Sequence, residues 1–208
     1  METAEDVTRI RLVGGNLALD LVNTRTGPDD DVLTGYAALV AWGVYAGDLT
    51  QAEATRLRRL SHGDPYGAGA AFTQALNTRD DLDEVFRPLA AGREPAAGAL
   101  TRLRDREADA LAHARLRTGD PFAWTWREDH TLGRPVRPAV HAAIQLLTTA
   151  ALDRIKGCEG CSFLFYDESK NRSRRWCSMD DCGTAEKMRR YVAARRTRTK
   201  NRAPGTGA

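Results

Sequence analysis

The sequence predicts an α+β chain: a mainly helical N-terminal domain with one short β-hairpin, followed by a small four-cysteine module. Three observations predict it. Apolar residues recur at helical spacing through most of residues 1–155. That pattern is interrupted at Ala114–Trp126, where two short runs flank the turn Thr-Gly-Asp-Pro121. All four cysteines of the 208-residue chain then fall between Lys156 and Arg196.

The elements follow in order. Thr8–Val13 alternates and predicts a short strand ending at Gly14-Gly15. Asn16 can cap a helix from Leu17 to about Arg25, with Leu17, Leu21 and Val22 inward. Gly27–Asp31 reads as a solvated acidic loop. A second helix opens near Thr34, places Tyr36, Leu39, Val40 and Trp42 in the core, and stops at Gly47-Asp48. Thr50-Gln-Ala-Glu53 has the capping-box form, so a third helix runs to about Leu60. Asp64-Pro65 restarts a helix with proline at its first position; it carries Phe72, Leu76, Leu82, Val85 and Phe86 up to Pro88. After Gly92–Pro95 another helix repeats Leu100, Leu103, Ala110 and Leu111. In the hairpin Trp124 and Trp126 share a face, joined by Phe122. A last body helix, from Pro138 to Ile155 with Val140, Ile144, Leu147 and Ala151 as its stripe, leads almost directly into Cys158.

Composition narrows the class. With 42% apolar and 28% charged residues the chain is globular in character. No apolar run approaches the ~20 residues of a membrane span. The first residues are acidic, with no signal-peptide core, so the expected compartment is the cytoplasm. There, clustered cysteines favour a metal over disulfides.

Cys158-x2-Cys161 and Cys177-x4-Cys182 stand fifteen residues apart. Each short turn can aim two sulfurs at one point, which is what one tetrahedral four-thiolate zinc ion requires. A redox dithiol would need only the first pair, and a disulfide pair is the other alternative; two close pairs favour structural zinc. A closed site leaves no position for water, so chemistry at the metal is not expected. Gly157 and Gly160 permit the first turn, Ser162–Tyr166 reads as a strand, Asp167–Asn171 as a turn, and Arg174-Arg-Trp176 as the return strand. The final helix, through Ala185, Met188, Tyr191 and Val192, begins at Cys182. That order is treble-clef-like.

Charge divides the chain. Lys156–Ala208 holds thirteen Lys/Arg against six Asp/Glu, and the preceding residues eighteen against twenty-two. A basic module on an acidic body points to a polyanion as partner, with nucleic acid first. The candidate contacts are Lys170, Arg172, Arg174 and Arg175 on the finger hairpin, and Lys187, Arg189, Arg190, Arg195 and Arg196 on the final helix. Arginine's fork suits phosphates and guanine edges, and most of the affinity should be salt-sensitive. A solvated surface, pairing with the acidic body, or an acidic protein partner would also account for these charges.

The body offers no nucleophile–base arrangement. His62, His113, His130 and His141 are scattered, Glu128-Asp129-His130 reads as an exposed loop, and Gly14-Gly15 lacks the G-x-G-x-x-G spacing. An enzyme is not supported; a site using Asp20, Glu128 or His130 is the least favoured reading. Trp42, Trp124 and Trp126 are the candidates for a small-molecule pocket, with core packing as the alternative.

Cys158-x2-Cys161, Leu164-Phe165, Asp167-x-Ser169, Asn171-Arg-Ser-Arg-Arg-Trp-Cys-Ser-Met179, Cys182-Gly183 and Lys187 together closely resemble the CGNR zinc finger of bacterial proteins. Gly14-Gly-Asn-Leu-Ala-Leu-Asp-Leu-Val-Asn-Thr24 resembles the opening motif of the ABATE domain that accompanies that finger. The resemblance implies a stress-induced transcription regulator. Residues 1–155 would form its regulatory domain, sensing an effector or mediating homodimerisation. Residues 156–202 would form the DNA-binding finger, and 203–208 a disordered tail. Such a protein would work in the cytoplasm at the nucleoid. In place of the family's Asn-Arg after Cys182-Gly183, this chain has Thr184-Ala185, which removes one positive charge and an amide while leaving both metal ligands.

Overall fold

The computed structural model describes residues 7–27, 29–126 and 131–201, with side chains described through Arg195. The expectations at Pro28, Glu128-Asp129-His130, the Arg196 side chain and the 203–208 tail lie outside the described residues.

A short buried helix, α1 (Leu17–Val22), is the hub. Asn16 caps it by accepting from the Ala18 N–H at 2.9 Å. It stops three residues before the expected Arg25, because the Thr24 hydroxyl turns back to the Leu21 carbonyl at 2.6 Å. Arg25–Gly27 (β1) then pairs with Asp30–Asp31 (β2), where an acidic loop was expected. Asp31 is not a solvated carboxylate: it receives both Nη atoms of Arg79 at 2.8 and 2.6 Å, and that guanidinium is nearly fully buried. The strand expected over Thr8–Val13 is absent. Val7 and Ile10, three residues apart, both go into the core, whereas a strand would pair Ile10 with the exposed Leu12.

Helix α2 (Tyr36–Tyr45) buries Tyr36, Leu39, Val40 and Trp42. Helix α3 (Gln51–Gly63) carries the reciprocal cap: the Glu53 N–H donates to Thr50 Oγ1 at 3.2 Å and the Thr50 N–H to Glu53 Oε2 at 2.8 Å. Helix α4 (Pro65–Ala90) starts where Asp64 accepts from the Gly67 N–H and outlasts Pro88, which sits in its last turn. Helix α5 (Ala97–Ala112) leads into the hairpin β3 (Ala114–Arg117) and β4 (Ala123–Trp126), with Leu116 opposite Trp124 and Ala114 opposite Trp126.

Helix α6 (Arg137–Thr149) ends well short of the expected Ile155. The chain passes through a 3-10 turn at Leu152–Arg154 into β5 (Ile155–Gly157), so no continuous helix enters Cys158. The partner of β6 (Leu164–Tyr166) is β5, not the expected Arg174–Trp176. That segment is bent away from a ladder because the Arg174 N–H donates to the Asp167 carboxylate at 3.0 Å. A wide π-helical turn at Met179–Gly183 feeds α7 (Thr184–Asn201). Its first residue answers the Thr184-Ala185 departure: Thr184 Oγ1 donates to the Met179 carbonyl at 3.0 Å, so a side-chain hydrogen bond persists at that position.

Helix α1 packs against α4, α6 and β6. One apolar core accordingly runs from Val7 to Leu164 across the junction expected at Ile155. Leu19, Leu21, Leu39, Leu82 and Leu164 are fully buried, and each such side chain contributes roughly 1.5–3 kcal/mol. Among the described residues no helix is long and apolar enough to cross a membrane.

Candidate metal centre and basic surface

The turn after β5 presents Cys158 and Cys161, and the segment entering the π-helical turn presents Cys177 and Cys182. Their four sulfurs lie within 4.8 Å of one another. Cys177 Sγ stands 3.6 Å from Cys161 Sγ and 3.7 Å from Cys182 Sγ. These separations are too long for a disulfide and match the spacing of about 3.8 Å that zinc–sulfur bonds of ~2.3 Å impose in a tetrahedron. No disulfide joins any of the four.

Local chemistry fits a cation. Burial pushes the Cys158 thiol up, but the N–H groups of Cys177 and Gly160, both 3.3 Å from its sulfur, and the adjacent thiols outweigh it, bringing it to about 7. Burial and neighbouring sulfurs push Cys177 up, and Cys182 up to about 11. Four sulfurs this close cannot all ionise unless a positive charge sits among them. Gly160 makes room: a Cβ there would lie 2.9 Å from Cys182 Cβ and 3.3 Å from its sulfur. The site holds one structural zinc ion, with all four positions filled by thiolate.

Two side chains build the finger's interior. Asp167 is wholly buried. Burial opposes its charge, yet the Lys156 ammonium at 2.7 Å and the N–H groups of Ser169 and Arg174 hold its carboxyl well below the usual range. Arg174 fans out to the carbonyls of Trp176 (3.1 Å), Val13 (3.0 Å), Tyr166 (3.4 Å) and Cys177, with its guanidinium 4.3 Å above the centre of Phe165. Asp167-x-Ser169 carried a readable signal, since the Ser169 N–H closes an Asx turn on it. The inward role of Arg174 had none, because a basic run looks alike whichever way each member points.

The Gly14–Thr24 motif holds the finger. Asn23 behaves as a strand partner on the free edge of β6, its amide donating to the Leu164 carbonyl and its oxygen accepting from the Leu164 N–H, both at 2.8 Å. The Gly14 carbonyl takes the next N–H along that edge, from Tyr166, also at 2.8 Å. Gly14 has no space for a side chain, since a Cβ would lie 2.9 Å from both the backbone and carboxylate of Asp20. Asp20 accepts from the Gly14 N–H at 2.8 Å, and burial lifts its carboxyl to about 6 despite that bond. It is therefore a buried brace for the turn, not a residue open to substrate. Arg11 adds a bond to Ser178 at 3.0 Å and an exposed ion pair with Asp181.

The remaining basic candidates divide. Arg172 pairs with Asp153, and Arg175 pairs with Glu159 while lying over Trp176; both pairs are half-exposed. Arg189 and Arg190 share Glu186. Lys170 and Lys187 are exposed, as is Arg195, which reaches over Tyr191. The Trp set does not converge: Trp42 is fully buried in α2, while Trp124 and Trp126 flank His141 at ring distances of 6.0 and 5.9 Å.

The helical body and the closed four-thiolate site define a zinc-finger protein whose finger is docked on its own N-terminal region. Residues 15–150 match the ABATE family, described as "putative stress-induced transcription regulator", and residues 154–196 match the CGNR zinc finger. The chain belongs to the ABATE family and carries a CGNR finger behind it. A comparison with curated proteins found no match.

Proposed function

We propose that this protein is a transcription regulator that binds duplex DNA through residues 156–202, while residues 1–155 sense a ligand or mediate self-association. It acts in the cytoplasm, at the nucleoid. The observation that carries the reading is α7. This 18-residue helix bears seven Lys/Arg and one acidic residue, Glu186. A cationic helix suits a phosphate backbone, and Lys187, Arg189, Arg190, Arg195 and Arg196 supply its charge. Lys170, Arg172 and Arg175 add contacts from the finger's loop. Arg174 belongs to the interior and drops out of the interface. Both matched families are of regulatory or zinc-finger type rather than enzymatic.

A salt titration with a mixed-sequence duplex tests this. Affinity should fall linearly on a log–log plot against salt, and Lys187→Ala with Arg195→Ala should lower the slope by about two. No binding at low salt sinks the reading. A second reading, docking on an acidic protein, draws support from Met188, Tyr191 and Val192, which expose an apolar strip on α7. It predicts binding to an acidic protein in place of duplex DNA, weakened when Met188, Tyr191 and Val192 are replaced by Ser.

A further inference from the structure

A cleft of about 420 Å³ lies between the zinc centre and the part of the body formed by the segment before α1 and the β1–β2 hairpin. Ile10, Val13 and Thr26 line it on the body side, and three of the four ligands, Cys161, Cys177 and Cys182, line it on the finger side. Cys161 is the exposed member of the set and Cys177 the buried one, and their sulfurs stand 3.6 Å apart. Cys158 differs, because its sulfur accepts the N–H groups of Cys177 and Gly160, both at 3.3 Å. Donors that stabilise a thiolate also blunt it as a nucleophile. Thiolate character and access together mark a cysteine for oxidation, and a second thiol within reach turns the first oxidation product into a disulfide. Cys161 has the access, and Cys177 is the thiol within reach. The residue after each of these two cysteines also ties the finger to the body. Ser162 Oγ donates to the Thr26 carbonyl at 3.0 Å, and Ser178 Oγ accepts from Arg11 at 3.0 Å.

We propose that Cys161 is an oxidation site for a small peroxide entering this cleft, and that Cys177 resolves it to a disulfide that dismantles the zinc centre. The Cys161 thiolate takes one oxygen of hydrogen peroxide, the O–O bond breaks, and hydroxide leaves. The Cys177 thiolate then attacks the Cys161 sulfur, the S–S bond forms, and the second oxygen leaves as hydroxide. Two thiolates lose two electrons in all, and the peroxide gains them. The disulfide leaves two thiolates where a closed site needs four, so zinc is released. Drawing the two sulfurs together also pulls Ser162 and Ser178 from their bonds to the body. The modification stands apart from the DNA reading; the loss of DNA affinity that it would cause rests on that reading and names its regulation.

The test treats the full zinc-loaded chain with hydrogen peroxide and follows zinc release with a chromogenic chelator. Peptide mass spectrometry maps the cysteines, with and without dimedone, which captures sulfenic acids. Dimedone should mark Cys161 first. Without it, Cys161 and Cys177 should be recovered as a disulfide while zinc is released, and a thiol reductant with added zinc should restore the parent content. Cys161→His offers a nitrogen ligand in place of the reactive sulfur and should release zinc at least about tenfold more slowly. First labelling at another cysteine, or a first disulfide other than Cys161–Cys177, overturns the site. Zinc retained at peroxide concentrations that oxidise N-acetylcysteine in the same tube overturns it too. So does a Cys161→His chain that holds zinc and releases it at the parent's rate; if that variant holds none, the labelling order in the parent decides. DNA affinity is read separately in the salt titration, so failure of this site leaves the DNA reading standing, and failure of the DNA reading leaves the site.

Discussion

Cys177→Ser is expected to remove zinc from the protein and unfold the finger. Cys177 is the buried member of the set and touches two other sulfurs at 3.6 and 3.7 Å, while its N–H donates to the Cys158 sulfur. Its loss therefore opens the tetrahedron and breaks a bond that favours the Cys158 thiolate. Zinc-finger peptides gain about 10–16 kcal/mol on binding the ion, far more than the few surface ion pairs of this module can replace. Metal analysis should fall from one zinc per chain to a small fraction. Because Ile155 and Leu164 belong to the common core, part of the body should loosen with it, lowering the melting temperature of the whole chain. A variant that stays metal-free and melts like the parent would refute this.

Arg174→Ala should cost stability before it costs DNA affinity. Four carbonyls lose a charged donor and Phe165 loses its cover; hydrogen bonds to charged groups contribute ~1.5–3 kcal/mol each, and the combined loss should reach about 3 kcal/mol or more. Denaturant unfolding reads it directly. Arg175→Ala, by contrast, removes an exposed pair with Glu159 and a surface contact over Trp176, and should shift the unfolding midpoint much less than Arg174→Ala while weakening DNA binding. Equal midpoints for the two variants would mean that Arg174 is no bracket.

The two regions were legible to different degrees, for physical reasons. The four ligands were readable because thiolate geometry demands close pairs at short spacing. Helix starts at Asn16, Thr50 and Asp64 were readable because each is written in its own cap residue. The hairpin at Ala114–Trp126 was readable from its turn. What failed depends on residues far apart in sequence. The pairing of β6 with β5 is decided by Asp167, which draws Arg174 out of a strand. The end of α6 at Thr149 is set where the chain turns to place Ile155 in the core. Asn23 could be quoted as part of a motif, but its task appears only once Leu164, 141 residues further along, lies beside it. The Trp residues illustrate the converse: apolar size marks them for burial or a pocket alike, and only packing separates Trp42 from the hairpin pair.

The central claim is that the zinc centre and the body's Gly14–Thr24 clasp form one cooperative unit. Amide hydrogen exchange of the full chain, before and after zinc is removed with a chelator, tests it most directly. Protection should be lost together at Cys177, whose N–H meets a ligand sulfur, and at Leu164 and Tyr166, whose N–H groups meet Asn23 and Gly14. Unchanged protection at Leu164 and Tyr166 in the metal-free chain would contradict the claim.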